Sequence, residues 1–370
     1  MKNAIIFPYD ISNMHLILHQ DMLSQYRITD VVSPNAWGYS GEDAGRVLGM
    51  ETGYIVQDSF ENIIDRCESI LFCETYIELP FDAYFEDAIE YSAQKGKELV
   101  FLCKCDAVKT GGIKKIAQKY NVSHVFVCQD GIKPYNENVA NYKMVDVPVP
   151  IIAVIGINER TDKFDIQLLL RKELTKLGYN VLQIGTKLYS GIFDMIPYPG
   201  FMHSSAIDTT SKILLFNKYI HSLYAEQRPD VIILGVSGGT FPLDNKFHNN
   251  FGVDNYIVSN AVKPDYVICS LPYDNYKLEY FDFLNTHFSH KFGFEVNCFN
   301  IANRTIKWNS TDSKESVQYL TLDGKIVNQK TELYQKNGYP VYSIYSREQS
   351  SMLLETLVGN LQNNSDNELI

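Results

Sequence analysis

The strongest chemical signal in the chain is a glycine at the end of an apolar run, then a polar loop, then a helix. IIAVI (151–155) reads as a buried strand, GINERTDK (156–163) as the loop, and FDIQLLLRKELTKLG (164–178) as a helix stopped by Gly178. A strand-end glycine lets the backbone approach an anion, and unpaired amides at a helix start favour negative charge, so this is the context of a phosphate-binding loop. Against G-x-x-x-x-G-K-[ST] the match fails in three places. Thr161 stands where the second glycine belongs, Asp162 where the lysine belongs, and Lys163 where a serine or threonine belongs. Lys163 can still reach a phosphate, and Thr161 can cap the helix or ligate a metal. Asp162 repels a polyphosphate unless a cation intervenes. The same residues also make an ordinary helix entry, with Thr161 as N-cap and Asp162 as a favourable first-turn acid. Gly156, Asn158, Thr161, Asp162 and Lys163 are the first group of candidate ligand-binding residues.

A second polar concentration follows the strand VIILGV (231–236). A Mg²⁺ ligand of the Walker B kind would end that strand in an acid, but its Asp230 lies at the opposite end. Ser237, Gly238, Gly239 and Thr240 can instead offer amides and hydroxyls as an anion nest. Asp244, Asn245, Lys246, His248, Asn249 and Asn250 follow within one stretch bounded by Pro242 and Gly252, a density beyond what a turn requires. Ligands in open α/β sheets bind at strand carboxyl ends. The expectation is therefore that the turn around Asn158 and the stretch near Asn249 line one pocket. Two readings follow: a noncatalytic cleft holding a peptide, a partner enzyme or a small anionic ligand, and an unusual nucleotide-dependent enzyme. In the second, Lys163 places phosphates and Thr161 or Asp162 holds Mg²⁺. GVSGG (235–239) resembles a nucleophile elbow around Ser237, but the chain runs on to Pro242 where that motif needs a helix.

These residues need strands and helices to position them, and the patterning supplies both. NAIIFPY, RITDVVSP, SILFCETY, KELVFLCK and SHVFVCQ are apolar strand-like runs. Between them, SNMHLILHQDMLSQY, FDAYFEDAIEYSAQKGK and TGGIKKIAQKYN carry apolar residues at helical spacing. Strands alternating with helices imply a parallel sheet. The fold class is α/β: two doubly wound, mainly parallel-sheet domains with a small α+β C-terminal appendage. The expected divisions are 1–130, a linker over 131–150 ending in VDVPVP, a second domain over 151–304, the appendage over 305–360, and a polar frayed tail over 361–370. VQYLTLDGKIVNQ (317–329) carries an Asp-Gly hairpin signal. The first domain lacks G-x-G-x-x-G after its first strand, so a dinucleotide site has no support there.

Of 370 residues, 44 are Asp or Glu and 33 are Lys or Arg, a net charge of -11 that argues against nonspecific nucleic-acid binding. No apolar run approaches the roughly 20 residues that span a bilayer. The N-terminal MKNAIIFPYD meets Pro8 and Asp10 at once and reads as a strand, not a signal peptide. Seven scattered cysteines, most inside apolar runs, fit a reduced cytoplasmic protein with packed thiols. Cys103 and Cys105 form C-x-C, read as packing, with a metal or redox role the alternative. His287 and His290 sit i,i+3 without a third ligand at recognisable spacing, so no metal site is assigned.

IGINERTDKFDIQLLLRKEL, IPYPGFM, GVSGGTFPLDNKFHNNFG and AVKPDYVICS together resemble the clostridial peptide-maturation system proteins, which accompany bacteriocin-like precursor peptides and their processing enzymes. The resemblance runs over nearly the whole chain. The central strand order and loop placement are similar to P-loop NTPase domains with an eroded phosphate loop, the first domain being Rossmann-like. It implies an accessory role beside a precursor peptide or peptide-modifying enzyme, and it carries over no catalytic residue.

Overall fold

The computed structural model describes residues 1–76, 82–130, 139, 141–308 and 317–367. Two compact units divide the chain. Unit one is Met1–Lys133 with Leu188–Pro197, and unit two is Pro134–Lys187 with Tyr198–Ile370.

Unit one is built on β1 (Lys2–Phe7), β2 (Tyr26–Val31), β3 (Ser69–Cys73), β4 (Glu98–Leu102) and β5 (His124–Phe126), all parallel, in the order β2-β1-β3-β4-β5. Register places Phe72 beside Phe101 and Phe101 beside Phe126. Their rings stack at 5.0 and 5.1 Å between centroids, forming the centre of the core. The helix expected over 12–26 shrinks to α1 (Met14–Leu18) flanked by single 3-10 turns. The Asp10 carboxylate caps the first turn at the Ser12 amide, and His19 leaves helical geometry. α2 (Asp82–Gln94) and α3 (Ala107–Tyr120) are the crossover helices, and the run SHVFVCQ stays extended only to Phe126 before turning into α4 (Val127–Asp130).

In unit two, β6 (Ile151–Gly156), α5 (Lys163–Lys176) and β7 (Val181–Gly185) are followed by β8 (Ile196–Pro197), which belongs to unit one. Then come α6 (Thr209–Gln227), β9 (Val231–Gly235), α7 (Val253–Ala261), β10 (Tyr266–Leu271), α8 (Glu279–Phe292) and β11 (Cys298–Ile301). β12 (Arg304–Ile306) and β13 (Tyr319–Thr321) form an antiparallel ribbon, and β14 (Val341–Tyr342) follows. The sheet runs β14-β11-β10-β6-β9-β7 with parallel pairings, so β6 and β9 lie side by side at the centre. Their carboxyl ends carry both candidate loops.

Three expectations are corrected. Residues 305–360 are not an appendage: β14 pairs with β11, and Leu353 and Leu357 of the helix Arg347–Asn367 pack against Ile152, Val154 and Ile268. That helix also takes residues 361–367 out of the expected tail; 368–370 lie outside the described residues. Asp323-Gly324 does not turn a hairpin. Asp323 caps the helix Gly324–Lys336 by accepting from the Lys325 amide at 2.8 Å, which buries Val327 and Tyr334 on one stripe. Of the expected linker, 131–138 and 140 lie outside the described residues. The part before β6 is pinned to α6, because the Asn217 side chain accepts from and donates to the Val145 backbone, both at 3.0 Å. Among the described residues no helix is long and apolar enough to cross a membrane.

Candidate functional site

β6 ends at Gly156, and the loop to α5 folds back onto it. The Thr161 hydroxyl donates to the Asn158 carbonyl at 3.2 Å and lies so close to Gly156 that a Cβ there would sit 2.4 Å away. This contact, not a phosphate, is what requires glycine at 156. Thr161 is therefore not the helix N-cap. Asp162 takes that place with φ +59 and makes no side-chain cap bond. Its carboxylate is buried, 3.3 Å from the Arg304 guanidinium and 3.3 Å from the Asn303 amide, and receives the Tyr345 hydroxyl. Burial raises its pKa although Arg304 opposes the shift. Arg304 also donates to the Arg160 carbonyl at 3.3 Å, and the Tyr319 hydroxyl donates to the Glu159 carbonyl at 3.2 Å. The β12–β13 ribbon thus clasps the loop.

Lys163 is the first helical residue, and its ammonium donates to the Gly238 carbonyl, joining the two loops. Burial pushes its pKa down to about 8. Two residues on, burial and the neighbouring Asp162 raise Asp165 to about 7. The Ser237–Thr240 segment is only in part the nest expected of it. The Gly238 carbonyl faces Lys163, and the Thr240 amide is bonded to the Ile157 carbonyl at 3.1 Å. Ser237 is half-buried beside them, and the Thr240 hydroxyl is buried without a hydrogen-bond partner.

Asn249 fixes the second loop to the first. Its Nδ2 donates to Asn158 Oδ1 at 2.9 Å and to the Phe241 carbonyl at 2.7 Å, over a Gly239 whose Cβ would lie 2.7 Å from that same nitrogen. Asn158 and Asn249 therefore share one rim of the sheet, as the sequence required. Asn249, Asn250, Phe251 and Gly252 are all left-handed, with φ of 46°, 49°, 52° and 73°. Each non-glycine residue held so costs roughly 1–2 kcal/mol, and such runs persist only where surroundings impose them. Here Lys291 imposes one end, donating to the Thr240 carbonyl at 3.2 Å and the Phe251 carbonyl at 3.0 Å. Asp244 has a supporting role: its Oδ1 accepts from the Phe247 and Lys246 amides, which holds its carboxyl below the ordinary range. Asn245 and Asn250 are exposed.

Between the loops and the ribbon opens a cavity of about 320 Å³, lined by Glu159, Arg160, Lys246, Phe247, His248, Asn249, Val317 and Tyr319. The guanidinium of Arg160 lies over the Tyr319 ring, 5.5 Å from its centroid. Of the residues singled out in the sequence, Lys246, His248 and Asn249 reach this cavity, while Gly156, Thr161, Lys163 and Gly239 shape the loops beneath it. A magnesium ion does not fit on Asp162, because its carboxylate is already held by the Arg304 guanidinium and the Asn303 amide. Among the described residues no group of three or more His, Cys, Asp or Glu side chains could hold a metal ion. Arg160, Tyr319 and Arg304 escaped the sequence reading. Arg160 lay in plain view inside the loop, but Tyr319 and Arg304 come from a distant ribbon that no local pattern connects to it.

No family model and no curated protein matches the sequence. The fold, however, has been seen before. The chain is similar to a DUF1611-family protein from Anabaena variabilis, with a TM-score of 0.60 and 11% identity, over 97% of this chain and 100% of that one. At this identity the likeness shows the fold: a Rossmann-like α/β architecture with mainly parallel sheets. A GTPase in apo form from Pyrococcus abyssi aligns over 56% of this chain and 95% of its own at a TM-score of only 0.29, and carries no argument.

Proposed function

We propose that unit two binds a small anionic ligand in the cavity between the 157–162 loop, the 241–249 loop and the β12–β13 ribbon, as a noncatalytic accessory. One observation carries this reading. In a chain of net charge -11, the cavity is lined by Arg160, Lys246 and His248 against a single acid, Glu159. Low-dielectric walls concentrate such a field and draw anions in. The sequence resemblance to peptide-maturation proteins gives the setting of the proposal, in which the ligand or a carboxylate is part of a precursor peptide or its modifying enzyme. A nucleotide-dependent enzyme is the second reading, favoured by Lys163 at the head of α5 beside the loop. Calorimetric titration with pyrophosphate, ATP and GTP, each with and without Mg²⁺, tests both readings. Saturable binding lost in Arg160→Ala/Lys246→Ala supports the anion cavity, and no binding of any anion refutes it. Binding that requires Mg²⁺ and is abolished by Lys163→Ala supports the enzyme instead.

A further inference from the structure

The carboxyl ends of β3, β4 and β5 in unit one gather four cysteines. Cys73 closes β3 and pairs in register with Leu102, so Cys103 is the next residue along β4, and Cys128 follows two residues beyond the Phe101–Phe126 pair. Cys73, Cys105 and Cys128 are buried, while Cys103 is partly exposed. Cys105 immediately precedes Asp106, the N-cap of the 14-residue helix α3, whose carboxylate accepts from the Lys109 amide at 2.8 Å. The sulfur curls back over its neighbour, 3.9 Å from the Cys103 carbonyl oxygen, and the Cys103 thiol donates a hydrogen bond to it.

We propose that Cys103 and Cys105 form a peroxide-reactive dithiol that closes to an intrachain disulfide. The charge environment separates Cys105 from the packed thiols of the molecule. Burial pushes Cys67 up to about 11 and Cys298 up to about 12. Cys105 moves the other way, through the Cys103 hydrogen bond first and then Lys109, against its own burial and the neighbouring Asp106 carboxylate. Size selects the oxidant class. Cys105 is only 6% exposed, too enclosed for a peptide disulfide but open to a molecule little larger than water.

The chemistry balances in two steps. The Cys105 thiolate attacks one peroxide oxygen, the O–O bond breaks, Cys105 becomes a sulfenic acid, and the departing hydroxide takes a proton to leave as water. The Cys103 sulfur then attacks the sulfenic sulfur, forming S–S and releasing a second water with the Cys103 proton. Two thiols are oxidised by two electrons and one peroxide is reduced.

Lys104 lies between the two cysteines, so trypsin reports the linkage directly. Reduced full-length protein is treated with one equivalent of hydrogen peroxide, alkylated, digested and mapped. The expected product is Glu98–Lys104 joined to Cys105–Lys109, two hydrogens lighter than their sum and separated again by dithiothreitol. In Cys103→Ser, dimedone should label Cys105, and Cys105→Ser should slow peroxide consumption by at least about tenfold. The wild-type map decides the matter even if a variant fails to fold. Recovery of both peptides alkylated, Cys105 as a sulfinic acid, or linkage to Cys73 or Cys128 overturns the proposal.

Discussion

Both units are parallel sheets whose strand ends open into loops, yet they finish those ends with opposite materials. In unit one the rim carries thiols above a stack of phenylalanines. In unit two it carries Lys163, Asp162 and Arg304, buried and bonded to backbone carbonyls, amides or one another. The difference teaches that parallel-sheet topology fixes where a site can be and leaves its chemistry open. It also separates two kinds of cohesion. An apolar stack fails by losing contact area, whereas a buried charge network fails by leaving one member uncompensated.

That distinction is breakable by experiment. Arg304→Ala should destabilise the protein by about 3–5 kcal/mol in urea, because Asp162 is left as an unpaired buried charge. Asp162→Asn in the same chain should restore much of the loss. Phe101→Ala should cost a similar about 3–5 kcal/mol by opening a cavity between Phe72 and Phe126, and no second polar substitution should recover it. Rescue in both units, or in neither, removes the contrast.

Asp165 sharpens it with pH. Its folded-state pKa of about 7 exceeds the unfolded value, so the folded form holds the extra proton between about pH 4 and pH 7, and stability falls as pH rises through that window. Asp165→Asn should match the wild-type melting temperature near pH 4 and exceed it at pH 8. A constant difference across pH would contradict the burial argument. Lys163 predicts the reverse dependence. Its folded-state pKa of about 8 lies below the unfolded value, so the unfolded form holds the extra proton between about pH 8 and pH 10.5, and stability rises with pH through that window. Lys163→Met should flatten that profile. The smallest effect concerns Phe251, left-handed and 59% exposed: Phe251→Gly should stabilise by about 1 kcal/mol in thermal unfolding.

The sheets were legible in the sequence because their strands are short apolar runs punctuated by Gly, Asn and Pro. The juxtaposition of Asn158 and Asn249 was legible too, since both follow strands that end at one edge. The missed parts share a physical cause. β14 is two residues long and acquires its place only by pairing with β11, and Asp-Gly serves a helix cap as readily as a hairpin. Thr161 looked like an N-cap because local propensity favours it. A tertiary demand won, the burial of Asp162 against Arg304 from 142 residues away along the chain. The chain-wide charge sum says nothing of where Arg160 and Lys246 meet at one cavity.

The return of Leu188–Pro197 to unit one orders events on the ribosome. Unit one cannot be completed until residue 197 has emerged, by which time β6 and β7 of the other unit are already outside. Those two strands are not neighbours: each waits for β9, made only at residues 231–235. Until then the edges of β6 and β7 that β9 will join stay unpaired.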